Sequence, residues 1–409
     1  MRHRSTSIGL GVLLAAGVAT PVQAAGPTAT VSALGREMRF AGSSSSALVV
    51  DVNTGETIYA RRARAYRVPA SVNKLHTTAA ALVRLGPDAS LGTDLLVAAP
   101  SVDGTVPGDV YLRGGGDFTF GARQANQLAR ALADAGVGTV RGRVIGDESY
   151  FDVRRGPPST NYQTSSWVGP LSALSYDRGM SGRSWPRFQS RPALFAAQRF
   201  ERALRRAGVS VRRDARTGTA PASARIVLRA PSLPLTALLA RINQPSDNFG
   251  AEMLLKQLGA RFAGDGSTAR GARVVDEVMD ELGVSARVVD GSGLSRSNRT
   301  TAVDVVTLLS AMDAGADGPA FEESLPVAGR SGTLRRRMRG TTAEGRCRAK
   351  TGTLTGVSAL AGYCDAPSGR LAFAFLMNDV DVAAARNRQD RMTATLAAYE
   401  SAPPVAARR

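Results

Sequence analysis

From Ser46 the chain reads SALVVDVNTGETIYARRA, two short apolar runs on either side of the turn signal Asn53-Thr54-Gly55, which is the pattern of a β-hairpin. Pro69 then suits the first turn of a helix whose apolar spacing runs on to Gly86. DVYLRGGGDFTFG predicts a strand that breaks into a glycine turn, ARQANQLARALADAGV a helix, and GRVIGDESYF another strand. A helix is expected over PALFAAQRFERALRRAG, a strand near Ile226 to Arg229, and a long helical stretch from Pro234 that is interrupted at NQPSDNFGAE. The glycine-serine loop DGSGLSRSNRTT precedes the helix AVDVVTLLSAM. Finally GRCRAKTGTLTGVSALAGYCDA and RLAFAFLMND read as three consecutive antiparallel strands. Helices and strands that alternate, with antiparallel strands late, argue a mixed α/β architecture.

Length and composition narrow this only slightly. A chain of 409 residues with 43% hydrophobic and 21% charged content is an ordinary globular protein with room for two or three domains. The first residues change more. A basic start, an apolar run from Ile8 to Val18 and small residues ahead of Ala25 have the form of a secretory signal over residues 1–24, so the chain is expected to be exported to the periplasm or extracellular envelope. No later segment is apolar for long enough to span a bilayer. The net charge of +18 then points to anionic wall polymers or lipid headgroups rather than nucleic acid, with solvated arginine-rich faces such as RRARAYR as the plainer account. Beyond the leader one histidine and two cysteines remain, too few for a His or Cys zinc site, so no metal or other cofactor is expected. His76 sits five residues after Ser71 and on a different helical face, so it is read as helix packing and a Ser-His-Asp arrangement is set aside.

Base chemistry therefore falls to lysine or a carboxylate, and lysine is nearly absent. Of 52 basic residues only Lys74, Lys256 and Lys350 are lysines. A lysine ammonium can lose its proton when it is buried or set beside another cation, whereas a guanidinium cannot. Two of the three complete motifs: Ser71-Val72-Asn73-Lys74 and Lys350-Thr351-Gly352-Thr353, with Ser246-Asp247-Asn248 between them. S-x-x-K, S-D-N and K-T-G in this order are the joint signature of class A β-lactamases and penicillin-binding proteins. At i and i+3 on one helix Ser71 and Lys74 share a face, and burial together with the charge of Lys350 is expected to lower the Lys74 pKa until it can take the Ser71 proton. Lys350 is expected to stay protonated and attract a substrate carboxylate. Asp247 is read as structural and Lys256 as a surface charge.

With these motifs, and with LRGGGDFTF, SALS at Ser172, DGSGLS at Asp290, GRSGTL at Gly329 and RAKTGTLTGVSALAGY, the chain resembles the penicillin-binding D-alanyl-D-alanine carboxypeptidases of the S13 peptidase family, the class C low-molecular-mass penicillin-binding proteins. The resemblance implies a transpeptidase-like domain, an antiparallel sheet flanked by helices, split into residues 25–95 and 232–405 around an inserted α/β region at 96–231. That insertion looks shortened, because only a brief stretch separates SALS from the helix at Pro192. The resemblance also implies an acyl-enzyme on Ser71, an oxyanion site at the N–H groups of Ser71 and Thr353, and proton relay to the leaving amine by Ser246. Asn248 would hold the substrate amide and Lys74, Thr351 and Thr353 would meet the carboxylate alongside Gly352, and Leu354 would line the side-chain pocket. The implied substrates are peptidoglycan stem peptides ending in D-Ala-D-Ala, with D-Ala cross-links as the alternative that would make the enzyme a DD-endopeptidase, and β-lactams are the implied inhibitors. The rival readings are a class A-like β-lactamase, for which Glu281 lacks an Asn four places on, and a non-catalytic wall-binding protein of the same fold.

The cysteines yield one further expectation. If Thr355 and Gly356 centre the turn of LTGV, Cys347 and Cys364 face each other across neighbouring strands, and an exported chain with an even cysteine count favours a disulfide there. Strand alternation puts this bridge on the face opposite Lys350.

Overall fold

In the computed structural model, which describes residues 26–182 and 187–401, the strand Gly369–Asn378 lies at the centre of a five-stranded sheet. The strand order is Cys347–Leu354, Val357–Ala366, Gly369–Asn378, Ser45–Asp51 and Thr57–Arg61, and every neighbouring pair is antiparallel. The expected hairpin from Ser46 and the three late strands thus join one sheet, while the leader expected at residues 1–24 lies outside the described residues.

Both faces of this sheet are covered, which is why its middle strand reads as a continuous apolar run. Leu371, Phe373, Phe375 and Met377 pack toward the helices Pro27–Phe40 and Val382–Ala397. Ala372, Ala374 and Leu376 point the other way, into a large core shared with the helices Lys74–Leu85, Leu235–Asn243, Asn248–Phe262, Thr268–Glu281 and Ala302–Ala314. Four helices have no counterpart among the expected elements: Pro27–Phe40, Thr268–Glu281, Gly318–Glu323 and Val382–Ala397.

A second sheet takes all its strands from Ser90 to Pro234, bracketing the stretch expected as an insertion. Arg225–Pro234, Ser90–Val97 and Val110–Gly114 pair antiparallel, and Val144–Asp147 and Arg216–Thr217 continue it in parallel. The parallel strands are crossed by the helices Ala122–Asp134 and Pro192–Arg206, which close a separate apolar core on the sheet.

The helix Asn248–Phe262 joins the two units and corrects one expectation. Lys256 is not a surface charge: its side chain is wholly buried, ion-paired with Asp152 from the second unit and set 5.6 Å from the Phe151 ring centroid. The helix is enclosed on all sides from Phe249 to Gly259, so it has no solvated face on which a lysine could lie. Beside it Arg155 grips Glu148 with two hydrogen bonds of 2.6 and 2.7 Å, and Glu148 also accepts from Ser172. Removing Asp152 strands a buried cation, so Asp152→Ala is expected to cost about 3 kcal/mol or more in chemical denaturation. Adding Lys256→Met should recover much of that loss; a double variant no more stable than the single would contradict the assignment.

Cys347 and Cys364 form the expected disulfide. They are register partners, and the Cys347 N–H and C=O bond outward, to Ala343 and Ala328, so the two sit at a close, non-hydrogen-bonded pair with Cα atoms 4.1 Å apart. Both sulfurs lie in the core beneath the terminal helices, behind the strand that carries Lys350. Replacing both cysteines by alanine should lower stability by about 3 kcal/mol in the chain-entropy account. Thiol titration of the unfolded, unreduced protein should find no free thiol.

Candidate functional site

Ser71 lies in a single 3-10 turn, Ala70–Asn73, that leads directly into the helix Lys74–Leu85. Ala70 has φ 48°, a conformation that alanine rarely adopts, and the approach of other segments fixes it there. A side chain at Gly352 would come within 2.5 Å of the Pro69 carbonyl, and one at Gly293 within 2.0 Å of the Ala70 carbonyl. Glycine at these two places lets the strand Cys347–Leu354 and the loop after Asp290 close on the Ser71 turn from two directions.

Lys74 is fully buried and makes three hydrogen bonds. Its Nζ donates to Ser71 Oγ at 2.9 Å, to Asn248 Oδ1 at 2.7 Å and to the Ser292 carbonyl at 2.6 Å. Asn248 opens its helix, and Asp247 caps it by accepting from the N–H groups of Phe249 and Gly250 while Arg178 grips the same carboxylate through two bonds. The structural reading of Asp247 is thereby explained. Ser246, just before, is held at φ 62°, a second left-handed non-glycine residue at this site.

Lys350 is also fully buried, and its Nζ donates to Ser246 Oγ at 2.8 Å and to the Thr351 carbonyl at 2.9 Å. Its strand forms the edge of the five-stranded sheet. Because Cys347 occupies a non-hydrogen-bonded pair, the register places the backbone groups of Ala349, Thr351 and Thr353 outward as well. Pro326 takes the Ala349 N–H, and the outward groups of Thr351 and Thr353 face the cleft beside Ser71.

That cleft, about 1000 Å³, is bordered by Ser71, Ser246, Asn248, Thr351, Thr353 and Leu354, so the structure brings the expected residues to one place. Gly352 contributes the close approach to Pro69 rather than a wall. A second cleft of about 1060 Å³ lies on the far side of Trp167 and shares Ser246 and Asn248 with the first. Trp167, Thr333, Arg386 and the Ser292 carbonyl are site groups that the motifs do not name. Trp167 is held by its carbonyl, which accepts from Asn248 Nδ2 at 3.0 Å, and Thr351 donates to Thr333 Oγ1 at 2.9 Å. Arg386 Nη2 donates to Thr353 Oγ1 at 3.0 Å. SGTL and DGSGLS were signals for Thr333 and Ser292; an irregular segment and a helix outside every motif gave none for Trp167 and Arg386.

The electrostatics depart from expectation in one respect. Burial pulls the Lys74 pKa down to about 8, partly offset by the carboxylates of Asp247, Glu252 and Asp290. Lys350 is pulled well below the ordinary lysine range, by burial first and by the charge of Lys74 second, and no carboxylate offsets it. The charge expected on Lys350 is thus opposed by its burial, whereas the charge on Lys74 has three carboxylates in its favour. His76 is buried, its Nδ1 lies 3.3 Å from the Asn73 carbonyl, and burial lowers its pKa to about 4, so it packs as a neutral ring. Glu281 pairs with Arg84 on the surface through bonds of 2.6 and 3.1 Å, which leaves it no part in this site.

Comparison with known proteins gives the same picture from outside. The model of the D-Ala-D-Ala carboxypeptidase 3 (S13) family matches residues 28–191 and 182–399. A D-alanyl-D-alanine carboxypeptidase of Actinomadura is 34% identical over 452 aligned positions, covering 90% of this chain and 84% of its own. A carboxypeptidase of Mycolicibacterium smegmatis is 32% identical, covering 81% and 75%. Among solved structures, penicillin binding protein 4 of Haemophilus influenzae superposes with a TM-score of 0.74 at 20% identity, over 88% of this chain and 97% of its own, which shows a shared fold. With its motifs gathered in one cleft and its sequence matched across nearly all the described residues, the chain belongs to the S13 family of D-Ala-D-Ala carboxypeptidases.

Proposed function

We propose that this protein is a serine DD-peptidase that cleaves the D-Ala-D-Ala end of peptidoglycan stem peptides through an acyl-enzyme on Ser71, and that β-lactams acylate the same serine. One observation carries the reading. Lys74 Nζ lies 2.9 Å from Ser71 Oγ, and among the described residues that hydroxyl has no histidine or carboxylate bonded to it, so lysine is the base at hand. Neutral Lys74 takes the Ser71 proton as Oγ attacks the carbonyl of the penultimate D-Ala. The outward N–H of Thr353 and the N–H of Ser71 serve the oxyanion, an effect worth roughly 10²–10³ in rate per donor. The proton passes by way of Ser246, which borders both lysines' surroundings, to the departing D-Ala amine; water then reverses the sequence and frees the acid.

The lysine electrostatics supply a trigger. A substrate carboxylate at Thr351 and Thr353 favours the charged form of Lys350, and that new charge presses Lys74 toward the neutral base. Arg386, donating to Thr353 Oγ1, leaves that hydroxyl's own hydrogen free for the carboxylate and adds a positive charge nearby. Leu354 and Trp167 border the cleft where the stem-peptide side chain would lie. The surface pairing of Glu281 speaks against the water-directing glutamate of a class A β-lactamase. The assembled lysines and Ser71 speak against a purely wall-binding role.

Residues 1–24 are read as an export signal that delivers the enzyme to the cell envelope, and the +18 charge as attraction to anionic envelope polymers. We place residues 25–95 and 232–405 in the catalytic unit and 96–231 in an inserted one, with the strands Ser90–Val97 and Arg225–Pro234 running across both boundaries into the second sheet. The insertion is read as shortened, because only a brief stretch separates SALS from the helix at Pro192.

Ser71→Ala should abolish covalent labelling by fluorescent penicillin while leaving the thermal transition unchanged, and purified muropeptides should lose one D-Ala by mass on digestion. Labelling that survives the change would place the nucleophile elsewhere. Lys74→Arg should be as damaging to acylation as Lys74→Ala, because guanidinium keeps its proton. Lys350→Arg should retain part of the activity, with the acid limb of the acylation profile moved to lower pH by the fixed charge beside Lys74. Equal tolerance of arginine at both positions would contradict these roles.

A further inference from the structure

Glu252 lies one turn beyond Asn248 on the same helix and belongs to none of the three motifs, yet it is completely buried. A buried carboxylate without a cation bonded to it is costly, and here two loop residues meet it: the N–H groups of Gly291 and Ser292 donate to it at 3.2 and 2.8 Å, and the Ser292 side chain adds a hydrogen bond. The peptide so held ends in the Ser292 carbonyl, which is the acceptor 2.6 Å from Lys74 Nζ. Asp290, equally buried, completes the loop by accepting from Gly293, Ser295 and Asn298. Two carboxylates thus grip a short loop from either side, and the loop meets the reacting pair through the Ser292 carbonyl on Lys74.

We propose that Glu252 is a positioning residue: by gripping residues 291–292 it aims the Ser292 carbonyl at Lys74, and its charge behind that carbonyl sets the pH at which Lys74 becomes the neutral base. The proposal rests on the Ser71 and Lys74 reading above and adds to it the group that governs it. Glu252 touches no substrate, since it is sealed behind the loop.

The charged groups facing this cluster define what Glu252 can do. Lys74 stands in front of it with Lys350 beyond; Asp290 neighbours it, Asp247 acts on the same Lys74, and Lys256, on its own helix, feels its charge but is already paired with Asp152. Burial and the neighbouring charge of Asp290 push the Glu252 pKa up to about 7, and the Asp290 carboxyl is likewise raised by burial. Glu252 and Lys74 are therefore coupled: an ionised Glu252 holds the proton on Lys74 to higher pH. The acid limb of acylation is consequently displaced upward and drawn out relative to a single titration.

The test is the second-order rate of penicillin acylation as a function of pH, with a thermal melt for each variant. Glu252→Gln keeps the shape and removes the charge. Its acid limb should move down by about one pH unit and steepen, and its plateau should fall about tenfold, the scale of one lost charge-assisted hydrogen bond. Glu252→Asp keeps the charge but draws the carboxylate back from the loop; it should hold the wild-type midpoint and lose plateau rate. A Glu252→Gln limb that coincides with wild type would overturn the proposal, whatever the plateau does, because a purely structural residue would lower the rate without moving the midpoint. If the glutamine variant does not fold, an aspartate variant with the wild-type plateau would overturn it instead. Penicillin labelling in Ser71→Ala, run alongside, separates failure of this proposal from failure of the underlying reading.

Discussion

Two lysine amines are buried close enough to share one serine-lined cleft, and most of the unusual features nearby answer the cost of putting them there. Lys74 and Lys350 both lose their solvation, and each opposes the other's charge. Lys74 is given three acceptors and lies within the field of Asp247, Glu252 and Asp290; Lys350 is given a hydroxyl and a carbonyl and no carboxylate. This asymmetry sets two chemically identical groups in different surroundings: carboxylates favour the charge on Lys74, and an arriving anion would favour it on Lys350. The backbone pays locally for it, with Ala70 and Ser246 in the left-handed region and Gly352 and Gly293 admitting contacts no side chain could survive.

The site can be this tight because its parts, distant in sequence, rest on one rigid sheet. The strand Ser45–Asp51, which leads to Ser71, pairs along its whole length with Gly369–Asn378, and that strand pairs through Val357–Ala366 to the strand of Lys350. Packing on both faces and the Cys347–Cys364 bridge behind the edge leave that strand few ways to shift. An edge strand is ordinarily a liability; here the outward groups of Thr351 and Thr353 point to the place where an extended peptide would lie.

What the sequence disclosed followed the reach of each physical signal. Hydrophobic alternation and turn residues located the hairpin at Asn53-Thr54-Gly55, and strand arithmetic about Gly356 paired Cys347 with Cys364, because both depend on neighbours in the chain. The three motifs named the polar residues that meet in the cleft. Trp167 and Arg386 were not legible: each reaches the cleft from a segment whose local pattern gives no hint of its tertiary position. Lys256 misled for a related reason, since a lysine on a helix suggests a solvated face, and only the packing of the second unit against that helix removes the face. The charge expected on Lys350 was reasoned from its partners alone, and its burial, which acts against that charge, shows only in the fold.

Lysine usage itself follows from burial. The sequence has three lysines, and all three are fully buried; among the described residues no arginine is. A guanidinium holds its charge in any surroundings and spreads it over a planar fork, which suits surface pairs such as Arg84 with Glu281 or Arg391 with Glu37. It cannot become a neutral base. An ammonium is compact and gives up its proton when burial demands it. Where the chain needs a permanent surface charge it uses arginine, and where it needs a cation whose charge the surroundings can set it uses lysine. By this reasoning Lys256 belongs with the other two: Asp152 holds it charged by the same burial physics that leaves Lys74 and Lys350 poised to change.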